Sequence, residues 1–358
     1  MKIHVYVHGW LPHLAAGSER AMQHLLKPLI DSGSEVTVFA LQAIGDPYQF
    51  EGAWVIPGPP SLDSLSKPDL VLTHHRIGTV FGSLVADHFG IPLVTYLHNE
   101  RYDIQEMLHC KPDFVLYNTQ WVKEVCEPMH SAPGLVIHPP LEPERHQTDK
   151  GDKVTLINMS DNKGVDTFYK TAKLLPDVQF LGVQGTHGEQ RLDAYANVSI
   201  MLTTQDMRNV WAQTALLLMP SGYESYGMCA AEASVSGIPT FAHPTPGLKE
   251  CLGTAGTFID REKPEEYAEA IRNYFSNAEY RKKLDKAAVR RGVKLITQSE
   301  KELYSWMEWV PTIIASGRPK RQRPEIHLTN ATGSKVSCSI TLAADMIVWG
   351  WSKDLEVV

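Results

Sequence analysis

Short runs of apolar residues alternate along this chain with longer stretches in which apolar residues return every three or four positions. In the first part the short runs predict strands over residues 3–7, 35–40, 69–73, 92–98 and 113–117. Between the first two, Met22, Leu25, Leu26, Leu29 and Ile30 repeat at helical spacing, with Ser18 placed as N-cap and Gly33 as the stop. Pro28 lies inside that pattern and predicts a kink. The alternation pauses over residues 139–150, a proline- and charge-rich stretch that reads as a linker. It restarts with strands over 153–158, 178–183, 198–202, 215–219, 238–242 and 257–259. Strand–helix alternation repeated in this way predicts two doubly wound parallel sheets with helices on both faces. In such sheets ligands bind beyond the carboxyl ends of the strands.

Helical spacing follows over 264–296 and again over 300–314. From Gly317 the pattern changes. Arg318, Lys320, Arg321 and Arg323 form a basic cluster, and Val336, Cys338, Ile340 and Leu342 then alternate with polar residues at strand periodicity, with 346–351 as the expected hairpin partner. The expected organisation is a first domain over 1–145, a second over 146–299, a helix over 300–316 packing back on the first domain, and a basic linker with a β-hairpin tail over 317–358.

A length of 358 residues is enough for two domains of ordinary size. The net charge of −7 excludes a global electrostatic pull toward nucleic acid or anionic lipid. The five cysteines, Cys110, Cys126, Cys229, Cys251 and Cys338, are scattered and odd in number, without a Cys-x-x-Cys. They suit a reducing compartment and a cytoplasmic protein, and argue against a disulfide framework or a zinc site. No apolar stretch has the length of a signal core or a membrane span.

The candidate chemistry centres on Glu224 and Glu232 in the segment Pro-Ser-Gly-Tyr-Glu-Ser-Tyr-Gly-Met-Cys-Ala-Ala-Glu. A buried-looking strand runs into a turn that carries Glu224 and ends at Gly227, where a helix starts. Glu232 lies about two turns into that helix, so the pair spans on the order of 12 Å along it. The N–H groups at the helix start, near Ser225, Tyr226, Gly227 and Met228, suit a phosphate anion. One carboxylate is then placed for sugar hydroxyls and the other for ribose hydroxyls, which reads as a clamp for a nucleotide sugar.

The two Rossmann-like domains and the Glu-x7-Glu motif, set between Pro-Ser and Gly-Ile-Pro, resemble the GT-B fold and in detail the retaining family-4 glycosyltransferases, glycosyl transferases group 1. The resemblance covers roughly residues 1–315 and implies two domains facing across a cleft, followed by a C-terminal extension. It implies that Glu224 positions the donor sugar and that Glu232 binds the ribose. It implies a donor-binding turn at Gly17 and Ser18, where this chain has Ala16 in place of a second glycine. It also implies a diphosphate site at Asn158 and Lys163, although the arginine that relatives place near Asn158 is absent; Arg191 and Arg208 are the alternatives. His98 ends a strand and matches a histidine that contacts the donor sugar in relatives, so His98, Glu224 and Lys163 are the expected catalytic groups. His13, Glu100 and Tyr102 are expected on the acceptor side.

A metal site at His74 and His75 is not expected, because adjacent histidines rarely converge on one ion and the sequence places no third ligand. No Asp-x-Asp motif holds a diphosphate through Mg²⁺, so metal independence follows, with neither metal nor cofactor. The absence of Gly-x-Gly-x-x-Gly argues against an oxidoreductase. The expectation is therefore transfer of a sugar from a nucleoside diphosphate, UDP slightly favoured over GDP, with retention. The acceptor stays open among glycan, lipid, protein, small molecule and modified nucleic acid, and so does the oligomeric state. Two alternatives also stay open: a degenerate GT-B module that only binds or assembles, and a nucleotide-sugar epimerase or phosphorylase on the same fold.

Overall fold

Apolar runs without internal alternation form strands buried on both faces, and the central strands of the two large sheets are built from them. The structure is a computed structural model that describes residues 1–14, 16–101, 103–186, 188–318, 326–329 and 335–338. The chain divides into two units, Met1–Ile137 with the chain from Leu303 onward, and His138–Glu302.

The sheet of the first unit holds β1 (Lys2–Val7), β2 (Glu35–Ala40), β3 (Tyr48–Phe50), β4 (Ala53–Pro57), β5 (Leu70–His74), β6 (Leu93–Leu97), β7 (Phe114–Tyr117) and β8 (Gly134–Val136). Their order is β3-β4-β2-β1-β5-β6-β7-β8, parallel except for the β3–β4 pair. Helices α1 (Gly17–Asp31), α2 (His75–Phe89), α3 (Ile104–His109) and α4 (Gln120–Cys126) connect them. The second unit holds the short helix α5 (Pro143–His146), then β9 (Lys153–Ile157), α6 (Val165–Leu174), β10 (Phe180–Val183), β11 (Val198–Met201), α7 (Arg208–Trp211), β12 (Thr214–Met219), α8 (Met228–Val235), β13 (Thr240–Ala242), α9 (Pro246–Leu252), β14 (Thr257–Phe258) and α10 (Pro264–Ser276). Its sheet is all parallel, in the order β11-β10-β9-β12-β13-β14.

Burial follows position in the sheets. The central strands β5, β6, β7 and β12 are buried at every residue, whereas the edge strands β3, β8, β11 and β14 are not. Along β12 the side chains separate with a period of two: Leu216 and Leu218 join Phe168, Phe180 and Tyr274 on one face, and Leu217 and Met219 join Trp211, Ala230 and Leu248 on the other.

Several expectations need correction. Helix α1 starts at Gly17 with Ala16 in the capping position, and the Ser18 hydroxyl donates to Glu19 Oε2 at 2.9 Å instead of capping. The stretch read as a linker contains α5. The last two helices break at Asn277, not near residue 298, because α11 runs unbroken over Ala278–Ser316. Its later residues Trp306, Val310 and Ile313 are buried in the core of the first unit with Leu25, Val38 and Leu116. Strands β3 and β4 were not foreseen; the exposed Trp54 interrupts the apolar signal there.

Arg318, assigned by sequence to a basic linker, is buried. Its Nε and Nη1 each stand 2.6 Å from a carboxylate, Asp87 and Asp113, and its Nη groups also donate to the carbonyls of Cys110 and Lys111. Beyond it, Ile326–Thr329 pairs antiparallel with Lys335–Cys338. The hairpin partner of 335–338 is thus 326–329, and the segment 346–351 lies outside the described residues.

Candidate active site

The strand order of the second unit reverses between β9 and β12, which opens a crevice between the loops leaving those two strands. Two contacts join these loops, and a third ties the segment after β14 to the β9 loop. Gly222 N–H donates to the Asn162 carbonyl at 2.8 Å, Lys163 Nζ donates to Glu224 Oε1 at 2.5 Å, and Arg261 Nη2 donates to the Asp161 carbonyl at 3.0 Å. Gly164 (φ 85°) and Gly227 (φ 102°) head α6 and α8 in left-handed conformations that favour glycine. A Cβ on Gly227 would also stand 2.5 Å from Leu248 Cδ2. Both helices therefore begin at the crevice.

The electrostatics are local. Burial works to lower the Lys163 pKa, but the adjacent Glu224 carboxylate outweighs it and the net shift is upward, so the ammonium is held charged. Glu232 is buried in α8, with Oε2 3.6 Å from Nδ1 of His146 on α5. The Cys229 thiol registers the whole cluster: burial raises its pKa, Glu232 and Glu224 add to the rise, and Lys163 opposes it. The first intrahelical bond of α8 is Ala230 N–H to the Gly227 carbonyl, at 2.9 Å. The N–H groups of Met228 and Cys229 precede it and are available to an anion.

Other expected residues sit as follows. Asn158 adopts φ 67°, and Gln190 holds it there: Gln190 Nε2 donates to Asn158 Oδ1 at 2.7 Å, while its Oε1 accepts from Met159 N–H and Gly185 N–H. Ser225 and Met228 are half-buried. The Tyr226 ring is buried, 5.4 Å from the His138 ring, so what it can offer a ligand is its main chain. The proposed substitutes for the absent arginine fare poorly. Arg208 is bound to Asp206 through two side-chain contacts, and Arg191 lies among Asp161, Asp166 and Asp193. The cation that sequence reading missed is Arg261, just beyond β14 and packed against Gly222. A cation following a strand's carboxyl end was the available signal.

In the first unit the order reverses between β1 and β5, and Gly17, Ser18 and His98 lie around that point. His98 Nε2 is 3.1 Å from His74 Nδ1, its ring packs 4.2 Å from Tyr96, and its carbonyl accepts from Asn118 Nδ2 at 2.7 Å. Burial, reinforced by His75 and His8, keeps its pKa well below the usual histidine range. Contrary to the sequence expectation, the His74 and His75 rings converge, 4.5 Å apart. In an extended strand neighbouring side chains point to opposite faces, but His75 has φ 56° and its ring turns back. His13 is exposed and packs against Tyr48. Glu100 is half-buried and adds to the upward pKa shift of the Cys126 thiol. Tyr102 lies outside the described residues. No described helix is long and apolar enough to cross a membrane.

Two parallel-sheet Rossmann-like units with a C-terminal helix define the GT-B fold, and residues 140–291 match the family model for glycosyl transferases group 1. Among curated proteins, D-inositol 3-phosphate glycosyltransferases are similar over part of the chain. One from Nocardioides sp. is 28% identical over 107 residues, 29% of this chain and 21% of its own length; one from Streptomyces coelicolor is 28% identical over 117 residues, 30% and 26%. The chain thus spans about a quarter of the length of these relatives. Among solved structures, HepE of Anabaena in complex with UDP-glucose has a TM-score of 0.72 at 16% identity, over 88% of this chain and all of that one. Sucrose-phosphate synthase from Thermosynechococcus elongatus has a TM-score of 0.71 at 15% identity, over 88% and 99%.

Proposed function

We propose that this protein is a glycosyltransferase that moves a sugar from a nucleoside diphosphate donor to an acceptor with retention of configuration. The observation that carries the reading is the Lys163–Glu224 pair, held at the start of α8 at the switch point of the second unit. The diphosphate binds to the first N–H groups of α8, with Lys163 and Arg261 as cations. Glu224 accepts from sugar hydroxyls and Glu232 from the ribose. As the sugar–phosphate bond breaks, negative charge grows on the leaving diphosphate, where fixed N–H groups and a charged lysine stabilise it most. The diphosphate takes the acceptor's proton on the same face, and alignment supplies much of the remaining rate. Protein cations do the neutralising, so the diphosphate needs no metal.

The group 1 match spans Lys163, Glu224, Glu232 and Arg261, and the likeness to a UDP-glucose complex favours UDP as the base carrier. The test is a thermal-shift panel of UDP-, GDP- and dTDP-sugars, since a ligand of the native state raises its melting temperature. A UDP-sugar should raise it and slowly release UDP without acceptor. No shift with any member would overturn the reading, and a shift without turnover on any acceptor would favour a binding module.

A further inference from the structure

The switch point of the first unit carries four side chains that the transferase reading does not use as a group. His8 follows β1, Glu19 lies in the first turn of α1, His74 ends β5 and His75 opens α2. One ligand atom from each lies within 4.8 Å of all the others. The side chains of Glu19 and His74 are fully buried.

Two of the converging atoms have no hydrogen-bond partner: Glu19 Oε1 and His74 Nε2. Glu19 Oε2 is satisfied by the Ser18 hydroxyl, which leaves Oε1 directed at the histidines. From Oε1 the distances are 3.6 Å to His8 Nε2, 3.7 Å to His74 Nε2 and 4.0 Å to His75 Nε2. These are long for hydrogen bonds. They are near the edge of a tetrahedron whose centre is 2.0–2.1 Å from each corner, about 3.4 Å. A buried carboxylate oxygen and a buried imidazole nitrogen are costly without partners, and one cation between them satisfies both.

The outer contact of His74 fits too, whereas His75 Nε2 lies 3.1 Å from the Ser18 hydroxyl, a contact that a bound ion replaces. An imidazole that binds metal through Nε2 carries its proton on Nδ1, and a second group normally accepts it. His74 Nδ1 is 3.1 Å from His98 Nε2, so His98 is that acceptor. Three imidazoles and one carboxylate form an N/O set that suits zinc or a neighbouring transition ion far better than Mg²⁺ or Ca²⁺.

We propose that His8, Glu19, His74 and His75 bind one divalent transition-metal ion of the zinc class, with His98 as the outer partner of His74. The site lies wholly in the first unit and does not depend on the proposed transferase reaction.

The test uses the full-length protein dialysed free of metal. Zn²⁺ binding is measured by equilibrium dialysis with metal analysis, Co²⁺ binding by the visible d–d band of a tetrahedral site, and stability by thermal melting. The expected result is one Zn²⁺ per chain, a tetrahedral Co²⁺ spectrum and a raised melting temperature. All three should be lost in His74→Ala and in Glu19→Gln, and retained in His109→Ala, which changes an exposed histidine. If His74→Ala fails to fold, Glu19→Gln, expected to lose the site, and His75→Asn, expected to weaken Zn²⁺ binding at least tenfold, decide the matter. Three results would overturn the proposal: less than one Zn²⁺ per chain at saturation, binding that survives both substitutions, or a Glu19→Gln protein that is more stable with no metal effect in either form. The last would identify a shared-proton network instead.

Discussion

The two units share a strand order around their centres, yet their switch points carry opposite kinds of chemistry. In the second unit, the loops after β9 and β12 bring a charged lysine and a glutamate to the start of α8, the segment after β14 adds an arginine, and α8 itself carries a second glutamate. In the first, the corresponding position after β1 and β5 is filled by imidazoles around one buried carboxylate. Topology fixes where a ligand can bind, and the residues just past the strand ends decide what binds. The units also close differently. An arginine between two aspartates ends the described helical part of the first, and a histidine between two glutamates ties the first residue of the second to its last. His138 Nε2 is 2.7 Å from Glu250 and its Nδ1 is 2.8 Å from Glu302.

The largest expected effect is on closure of the first unit. Arg318→Ala leaves Asp87 and Asp113 facing a vacated, buried site, and breaking one partner of a buried pair costs about 3–5 kcal/mol. Thermal melting should show a clear drop in the variant, while a chain ending just after Arg318 melts like the full-length protein. If both melt normally, Arg318 is a surface contact and the tail begins before it.

Next comes the charge at the second switch point. Lys163→Ala should lower kcat by about a hundred- to a thousandfold, the size found when one group that stabilises developing negative charge is removed. The UDP-sugar KM should change less, because that charge appears in the transition state. A raised KM with unchanged kcat would make Lys163 a ground-state anchor.

The closures should also differ in their response to pH. Burial works to lower the His138 pKa, but its hydrogen bonds to Glu250 and Glu302 prevail and raise it from 6.5 to about 9. A base with a raised folded-state pKa contributes stability that is present below about pH 6.5 and lost as pH rises through about 9, here on the order of 3 kcal/mol. Melting temperature should fall over that interval, and His138→Gln should flatten the fall. The same slope in the variant would assign it elsewhere.

The sequence disclosed the strand ladder because parallel strands buried on both faces are continuous apolar runs, and the helix start at Gly227 because a glycine follows a buried strand and a turn. It did not disclose Arg261, His146 or Gln190. Each reaches its place through a loop or a four-residue helix whose path depends on packing. The convergence of His74 and His75 was missed because alternation along a strand separates them, and only the positive φ at His75 rejoins them. Arg318 was misread because four basic residues in a row of six look solvated until two distant aspartates are known to face one of them.

The central claim is that the crevice between the β9 and β12 loops binds the donor nucleotide through protein groups alone. Calorimetric titration of UDP into the full-length protein in excess EDTA tests it most directly. The account predicts one UDP per chain, an affinity unchanged by Mg²⁺, and a loss of about 1.5–3 kcal/mol in Glu232→Ala, the cost of a charge-assisted hydrogen-bond pair. Binding that requires Mg²⁺ or Mn²⁺, or an affinity that Glu232→Ala leaves untouched, would contradict it.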